Sequence, residues 1–278
     1  MLIRSFLFTP AHRLDLSAKA ARAGADAIVL DLEDGTPAAR RPEARRSLSE
    51  AVTQARRGGH AKVFVRVNAV AGRDFAADAE AVLAAGVDGV VAPKVGAAAD
   101  VASVRSALGV RSVVVGIETI AGVFEAQSIA AAPGVSALYF GAEDLAAQLG
   151  ARRTEKGDEV LYARAKCVLA ARAAGVPAID QAVVEVRDEA RFSADATTGR
   201  DFGYTGKICL LPRQVELANA IFSPSAEEIA RAERLIAAFD DGVACGEGVI
   251  EFEGMMVDEP VVRHARSLLA LSHQIAAG

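Results

Sequence analysis

Short apolar runs rich in Val, Ile and Phe recur at 3–8, 27–32, 63–67, 89–92, 112–117 and 137–140, with weaker ones at 177–179 and 206–210. Each has strand length and lacks clean polar/apolar alternation, the pattern of strands covered on both faces. Between them lie Ala-rich stretches with helical spacing, at 14–23, 43–57, 74–85, 100–108, 123–131, 159–174 and 185–198. Gly24, Gly58, Gly86, Gly109 and Gly175 follow several of these, where a helix C-cap glycine belongs. Strand and helix alternate eight times, which predicts a parallel sheet with crossover helices.

Spacing separates a barrel from an open sheet. The strands end near residues 8, 31, 67, 92, 116, 140, 180 and 208, a mean period of about 29 residues, which suits a closed barrel. A doubly wound open sheet usually has fewer strands and a Gly-rich phosphate turn after the first. Here the first strand runs into Phe8-Thr9-Pro10-Ala11-His12-Arg13, with no such turn. The expected fold is α/β, a (β/α)8 TIM barrel over residues 1–222 with a C-terminal helical appendage at 223–278. In the appendage, Ser225 and Glu228 form a capping-box pattern at the start of a helix reaching about residue 239. A Gly-rich turn region at 242–254, read as a short hairpin, precedes an amphipathic helix over about 260–275. The apolar face of this appendage is expected to pack on a neighbouring subunit.

Composition narrows the function. Thirty-one Lys+Arg against 36 Asp+Glu give a net charge of −5, which disfavours a nucleic-acid groove. The longest uncharged stretch, 126–142, is broken by Gln127, Ser128, Pro133 and Gly134, so no membrane span is expected. The start of the chain lacks the apolar core of a secretory signal, and a cytoplasmic protein is expected. Cys167, Cys209 and Cys245 are too few and too scattered for a disulfide framework, and are read as inert thiols.

Chemistry in such a barrel sits at the C-terminal strand ends. Those ends offer Arg13; Asp31, Glu33 and Asp34; Arg66 and Asn68; Lys94; Glu118; Glu143 and Asp144; Asp180; and Lys207. The set is acids with a few bases and no His or Cys, which points to a hard cation. Glu118 and Asp144 could each give an oxygen to Mg2+ (or Mn2+), with waters and substrate completing the shell. The alternative is salt bridges from these acids to Arg66 and Lys94. Zinc is not expected, because His12, His60, His264 and His273 form no pair at ligand spacing. Arg13 and Arg66 suit a carboxylate-bearing substrate, or else pair with Asp31, Glu33 or Asp34. Schiff-base chemistry at Lys94 or Lys207 is disfavoured by the neighbouring acids, which keep a lysine protonated. The doublets Arg40-Arg41, Arg45-Arg46 and Arg56-Arg57 read as a solvated face, or as reaching the phosphates of a nucleotide-like ligand.

These segments together resemble the HpcH/HpaI aldolase and citrate lyase beta subunit family, nearest its malyl-CoA and citramalyl-CoA lyase branch. The likeness rests on Phe8-Thr9-Pro10-Ala11-His12-Arg13, Leu30-Asp31-Leu32-Glu33-Asp34-Gly35, Val65-Arg66-Val67-Asn68 and Ala92-Pro93-Lys94. It continues through Ile117-Glu118-Thr119, Gly141-Ala142-Glu143-Asp144-Leu145, Gly206-Lys207-Ile208-Cys209 and residues 252–258. The resemblance implies a Mg2+-dependent barrel that makes or breaks a C–C bond beside an acyl thioester such as citryl-, malyl- or citramalyl-CoA, with a 2-oxo acid as the other product. It implies Glu118 and Asp144 as metal ligands, Glu118 also facing substrate, Arg66 as a carboxylate clamp and Arg13 as a further active-site arginine. Asp258 matches an acid that in the family reaches a neighbour's active site, in a homotrimer or hexamer. That role competes with a plain N-cap for the helix at Pro260. Two further readings are a beta subunit active only beside an acyl-carrier protein and a pyruvate-type aldolase acting on free acids. Departures at His12, Tyr204-Thr205-Gly206 and Leu210-Leu211-Pro212 bear on substrate choice.

Overall fold

Runs of β-branched and aliphatic residues make strands that can be covered on both faces. The structure, a computed structural model, describes residues 2–59, 61–109 and 112–277; His60 lies outside them. The chain divides into two compact units, Met1–Phe222 and Ser223–Gly278. In the first, β1 (Ser5–Pro10), β2 (Ala27–Asp31), β3 (Lys62–Arg66), β4 (Gly89–Ala92), β5 (Val113–Ile117), β6 (Val135–Phe140), β7 (Ala178–Asp180) and β8 (Gly206–Cys209) run parallel and close in sequence order. β8 pairs back onto β1 through Ser5↔Lys207, Phe6↔Ile208 and Leu7↔Cys209. This is the expected TIM barrel with its ring of helices.

Side chains alternate across each strand. One buried cluster fills the barrel interior: Phe6, Ala27, Val29, Phe64, Val91, Val114, Ala137, Tyr139, Ile179 and Ile208 among others. A larger cluster, including Leu7, Ile28, Leu30, Val63, Val65, Val113 and Val115, lies between strands and helices. Two-residue steps from the interior set reach Asp31, Arg66 and Glu118 at one mouth. The same steps leave Asp180 and Lys207 on the outer face. They form a buried ion cluster there: Lys207 Nζ lies 2.9 Å from Asp180 and 2.5 Å from Asp195, and Arg164 contacts both acids. These two strand-end charges therefore brace the wall between barrel and helices.

Several helices depart from their expected limits for local reasons. The stretch expected at 43–57 is two helices, Arg41–Arg46 and Leu48–Arg56, broken at Ser47. The Ser47 hydroxyl donates to the Glu43 and Ala44 carbonyls, competing with the helical ladder. The stretch at 123–131 breaks at Glu125 into Ile120–Phe124 and Ala126–Ala130. The helix expected at 185–198 is Glu189–Phe202, started by the Asp188 side chain accepting from Arg191 N and ended by left-handed Gly203. A helix at Ala142–Leu149 was not expected, because its first turn lies inside what reads as a strand end. Gly58 is not a left-handed cap; a Cβ there would overlap the Ala21 carbonyl, so close approach is its reason.

In the second unit the capping box forms: Ser225 Oγ accepts from Glu228 N at 3.1 Å, and Glu228 Oε2 accepts from Ser225 N at 2.8 Å. The helix Ala226–Ala244 leads to an antiparallel hairpin of β9 (Ile250–Phe252) and β10 (Met255–Val257), then to the helix Glu259–Ala276. Ala232, Leu235, Phe239, Val257, Val262 and Ala265 make a small core of their own. These residues of the two helices and the hairpin bury against one another. Met255 and Met256 on the hairpin remain exposed. No helix among the described residues is long and apolar enough to cross a membrane.

Candidate active site

Asp31 ends β2 and accepts from the backbone of Glu33 and Gly35, which curls the following loop around its carboxylate. Gly35 is required there, since a Cβ would overlap Asp31 Oδ2. The same carboxylate takes one edge of the Arg66 guanidinium, Nε at 2.8 Å and Nη2 at 2.5 Å. Arg66 also stacks over Phe8 at 4.9 Å. Burial alone would lower the Arg66 pKa, but Asp31 reverses this and leaves it well above the ordinary value. The remaining nitrogen, Nη1, lies 3.0 Å from Glu33 Oε2. That contact is charge to charge; Glu33 Oε2 is buried without an aligned hydrogen bond.

Glu118 follows β5 and is buried. Its Oε1 accepts from Lys94 N at 2.7 Å and its Oε2 from the Tyr139 hydroxyl at 2.9 Å. Two glycines make this possible. Gly116 pairs with Tyr139 across β5 and β6, and a Cβ on it would overlap the Tyr139 ring and hydroxyl. A Cβ on Gly141 would overlap Glu118 itself. Burial, with the charges of Glu33 and Asp144, pushes the Glu118 carboxyl up to about 7.

Lys94 occupies the middle. Its Nζ is 2.6 Å from Glu33, 3.2 Å from Asp34 and 3.6 Å from Asp144. Burial pulls its pKa down, but the Glu33 hydrogen bond and the surrounding acids more than compensate, so it stays protonated. Asp144 lies in the first turn of the helix Ala142–Leu149, where a negative charge suits the helix dipole.

The structure thus gathers Arg66, Glu118 and Asp144 around Lys94, with Asp31, Glu33, Asp34 and Tyr139. Both alternatives are visible: Arg66 pairs with Asp31 and Glu33, and Asp144 with Lys94, although Glu118 makes no bridge to Arg66. Arg13 takes no part in these contacts; it is half exposed and pairs with Asp15 at 2.8 Å. Asp258, in the second unit, stands at the N-cap of the last helix, but its side chain makes no capping bond. Asn68 is held by Asp78 and the Leu32 carbonyl. Arg41 and Arg45, one arginine from each of the first two doublets, are paired with Asp74 and Asp78. Tyr139 escaped sequence reading; a lone Tyr opposite a mid-strand Gly was its signal.

The donor set suits a hard divalent cation. Glu118 and Asp144 supply oxygens only, in a site rich in negative charge, and Gly141 leaves Glu118 the room it needs. Among the described residues no three His, Cys, Asp or Glu form a complete protein cage. Two carboxylates completed by water and substrate are the usual arrangement for Mg2+. A cavity of about 270 Å³ opens at the Glu143 side, lined by Arg153, Gln181, Val183, Arg191 and Asp195 among others. It includes none of Arg66, Lys94, Glu118 or Asp144.

Comparison with known proteins places the chain in a family. The pattern of the HpcH/HpaI aldolase/citrate lyase family matches residues 4–212. A citrate lyase subunit beta-like protein of Deinococcus radiodurans is 44% identical over 97% of each chain. A (3S)-malyl-CoA thioesterase of Cereibacter sphaeroides is 37% identical over 99% of this chain and 96% of that one. The crystal structure of CitE from Mycobacterium tuberculosis in complex with magnesium, acetoacetate and coenzyme A superposes with a TM-score of 0.85, at 34% identity and 98% coverage of both chains. The chain belongs to the HpcH/HpaI aldolase/citrate lyase family.

Proposed function

We propose that this protein is a Mg2+-dependent carbon–carbon lyase that cleaves or forms a 3-hydroxy acyl thioester of the citryl-, malyl- or citramalyl-CoA type. The observation that carries it is the convergence of buried Glu118 with Asp144 and Arg66 at one barrel mouth. Relatives bound to magnesium with acetoacetate and coenzyme A, or with pyruvate, support the substrate class. Glu118 and Asp144 would hold the cation, which would polarise the oxygens of the 2-oxo acid. Arg66, fixed on one edge by Asp31, offers Nη1 to the substrate carboxylate, and Arg13 is a further candidate for anionic substrate.

In the cleavage direction the 3-hydroxyl passes its proton to solvent water and becomes the new oxo group. The adjacent C–C bond breaks, and its electron pair passes to the thioester α-carbon as an enolate. Asp258, supplied by the 223–278 appendage of a neighbouring subunit in a trimer or hexamer, protonates that carbon.

The malyl-CoA thioesterase names among the relatives favour one second reading, hydrolysis of the thioester itself. One experiment separates them. A panel of CoA thioesters is assayed for glyoxylate, pyruvate or oxaloacetate, and for free thiol, with Mg2+ and with chelator. Metal-dependent 2-oxo acid release without thiol supports the lyase. Thiol release with no 2-oxo acid establishes the thioesterase instead.

A further inference from the structure

Lys94 stands out because its backbone and its side chain serve the same cluster in separable ways. Its φ of 53° puts a non-glycine residue in the left-handed region, a costly conformation that persists only where its surroundings hold it. Here the reward is visible: the turned backbone aims Lys94 N–H at Glu118 Oε1, and the side chain returns across the mouth to Glu33. Any substitution at 94 other than proline keeps that N–H, so side-chain variants isolate the ammonium.

The ammonium contacts are graded. It grips buried Glu33 at 2.6 Å, touches Asp34 at 3.2 Å, and reaches Asp144 at 3.6 Å. Its side chain is one-third exposed, as is that of Asp144 at 37%, so both have room to separate. Arg66 cannot take over the task, being held by Asp31 and packed over Phe8. We infer that Lys94 is a built-in counter-cation, a positioning residue whose ammonium holds Glu33 and Asp144 in the metal-free site and releases Asp144 to an arriving divalent cation.

This inference rests on the metal site proposed above, and it makes a prediction that a purely structural lysine would not. A positive charge beside a cation site opposes metal binding, so neutralising it tightens binding while loosening the metal-free site. The test is a calorimetric titration of the full chain with Mn2+ and Mg2+, alongside thermal melts in chelator and in excess Mg2+. Lys94→Gln and Lys94→Met are expected to bind Mn2+ at least three-fold more tightly than wild type. Both should melt lower in chelator and gain more from metal than wild type does. Lys94→Arg, which keeps a cation, should stay near wild-type affinity. If wild type binds metal and both folded neutral variants bind it equally or more weakly, the counter-cation role is overturned and the metal site stands. If wild type binds no divalent cation, the metal site falls and this role falls with it.

Discussion

Replacing Gly141 with alanine tests whether this fold reserves space for Glu118. Gly141 has φ −104° and ψ 86°, open to any L-residue, so the substitution carries no left-handed strain. What it adds is a methyl that overlaps Glu118 Oε2 and stands 2.6 Å from Glu118 Cβ and 3.1 Å from Cδ. The carboxylate has little room to retreat, because Lys94 N–H and the Tyr139 hydroxyl hold it. Overpacking of this kind costs about 1–3 kcal/mol. If Glu118 is driven from Tyr139, a buried hydroxyl loses its partner, for about 1–3 kcal/mol more. The total of roughly 2–6 kcal/mol lowers Tm by roughly 4–24 °C at the 2–4 °C per kcal/mol usual for chains near this size.

The assay pairs thermal melts with Mn2+ calorimetry, and Mn2+ binding should weaken at least ten-fold. Glu118→Asp supplies the decisive control, since it withdraws the carboxylate by one methylene and removes the overlap at Oε2, leaving only the contact with Cβ. In a double-mutant cycle the two changes should therefore couple, each costing less in the presence of the other by about 1 kcal/mol or more. Additivity within about 0.5 kcal/mol would refute the claim that Gly141 acts through Glu118.

Arg66→Lys should lower kcat/KM at least a hundred-fold, chiefly through KM, because a point charge cannot serve Asp31 and a substrate carboxylate together; near-wild-type kinetics would make Arg66 a structural ion pair only. Borohydride trapping with pyruvate or oxaloacetate should give no adduct on Lys94 or Lys207, since Lys207 is fully buried between Asp180 and Asp195 and Lys94 is held protonated; mass spectrometry of a modified lysine would replace the metal reading with a Schiff base. Burial pushes the Cys167 and Cys209 thiols up to about 12, so at pH 8 a thiol reagent should label only exposed Cys245 in the native protein, and fast labelling of a second thiol contradicts that core. Mixing an Asp258→Ala chain with an Asp144→Ala chain under subunit exchange should restore part of the activity, and no recovery despite proven exchange removes Asp258 from a shared site.

The barrel was legible because strands buried on both faces must be continuous apolar runs, and eight such runs at even spacing leave few architectures. The same continuity hid the facing of each strand. A run such as Val113–Ile117 is buried along its whole length, so nothing in its composition says which side chains point inward. Every strand-end charge therefore looked equally available, and Asp180 and Lys207 were grouped with Arg66 and Glu118. Once closed, the barrel separates them by parity, and the outward pair spends its charge on Arg164 and Asp195. The capping box at Ser225 was readable because it depends on residues three apart in the chain. The break at Ser47 depends on which carbonyl a hydroxyl finds, and that is set only once the helix has begun to form.

The site's residue types were visible in the sequence, but its division of labour was not. Asp31, Glu33 and Glu118 are all buried acids at strand ends of one barrel mouth, and composition alone gives them one role. Their partners give them three. Asp31 is saturated by two backbone N–H groups and an arginine edge, so it orients and has nothing left to offer a ligand. Glu33 holds Lys94 through one oxygen and leaves the other facing Arg66 without an aligned bond. Glu118 receives one donor on each oxygen, from a backbone amide and a tyrosine, and meets no side-chain cation directly. Burying a carboxylate that way is costly, and it shows in a proton affinity raised to about 7. Two glycines, Gly116 and Gly141, are committed to making room for it and its tyrosine partner. A fold that gives up two side chains to keep this acid near Asp144, itself about one-third exposed, leaves negative charge uncompensated at this mouth. Lys94 covers part of that deficit from 3.6 Å away, and the divalent cation proposed above would offset the rest.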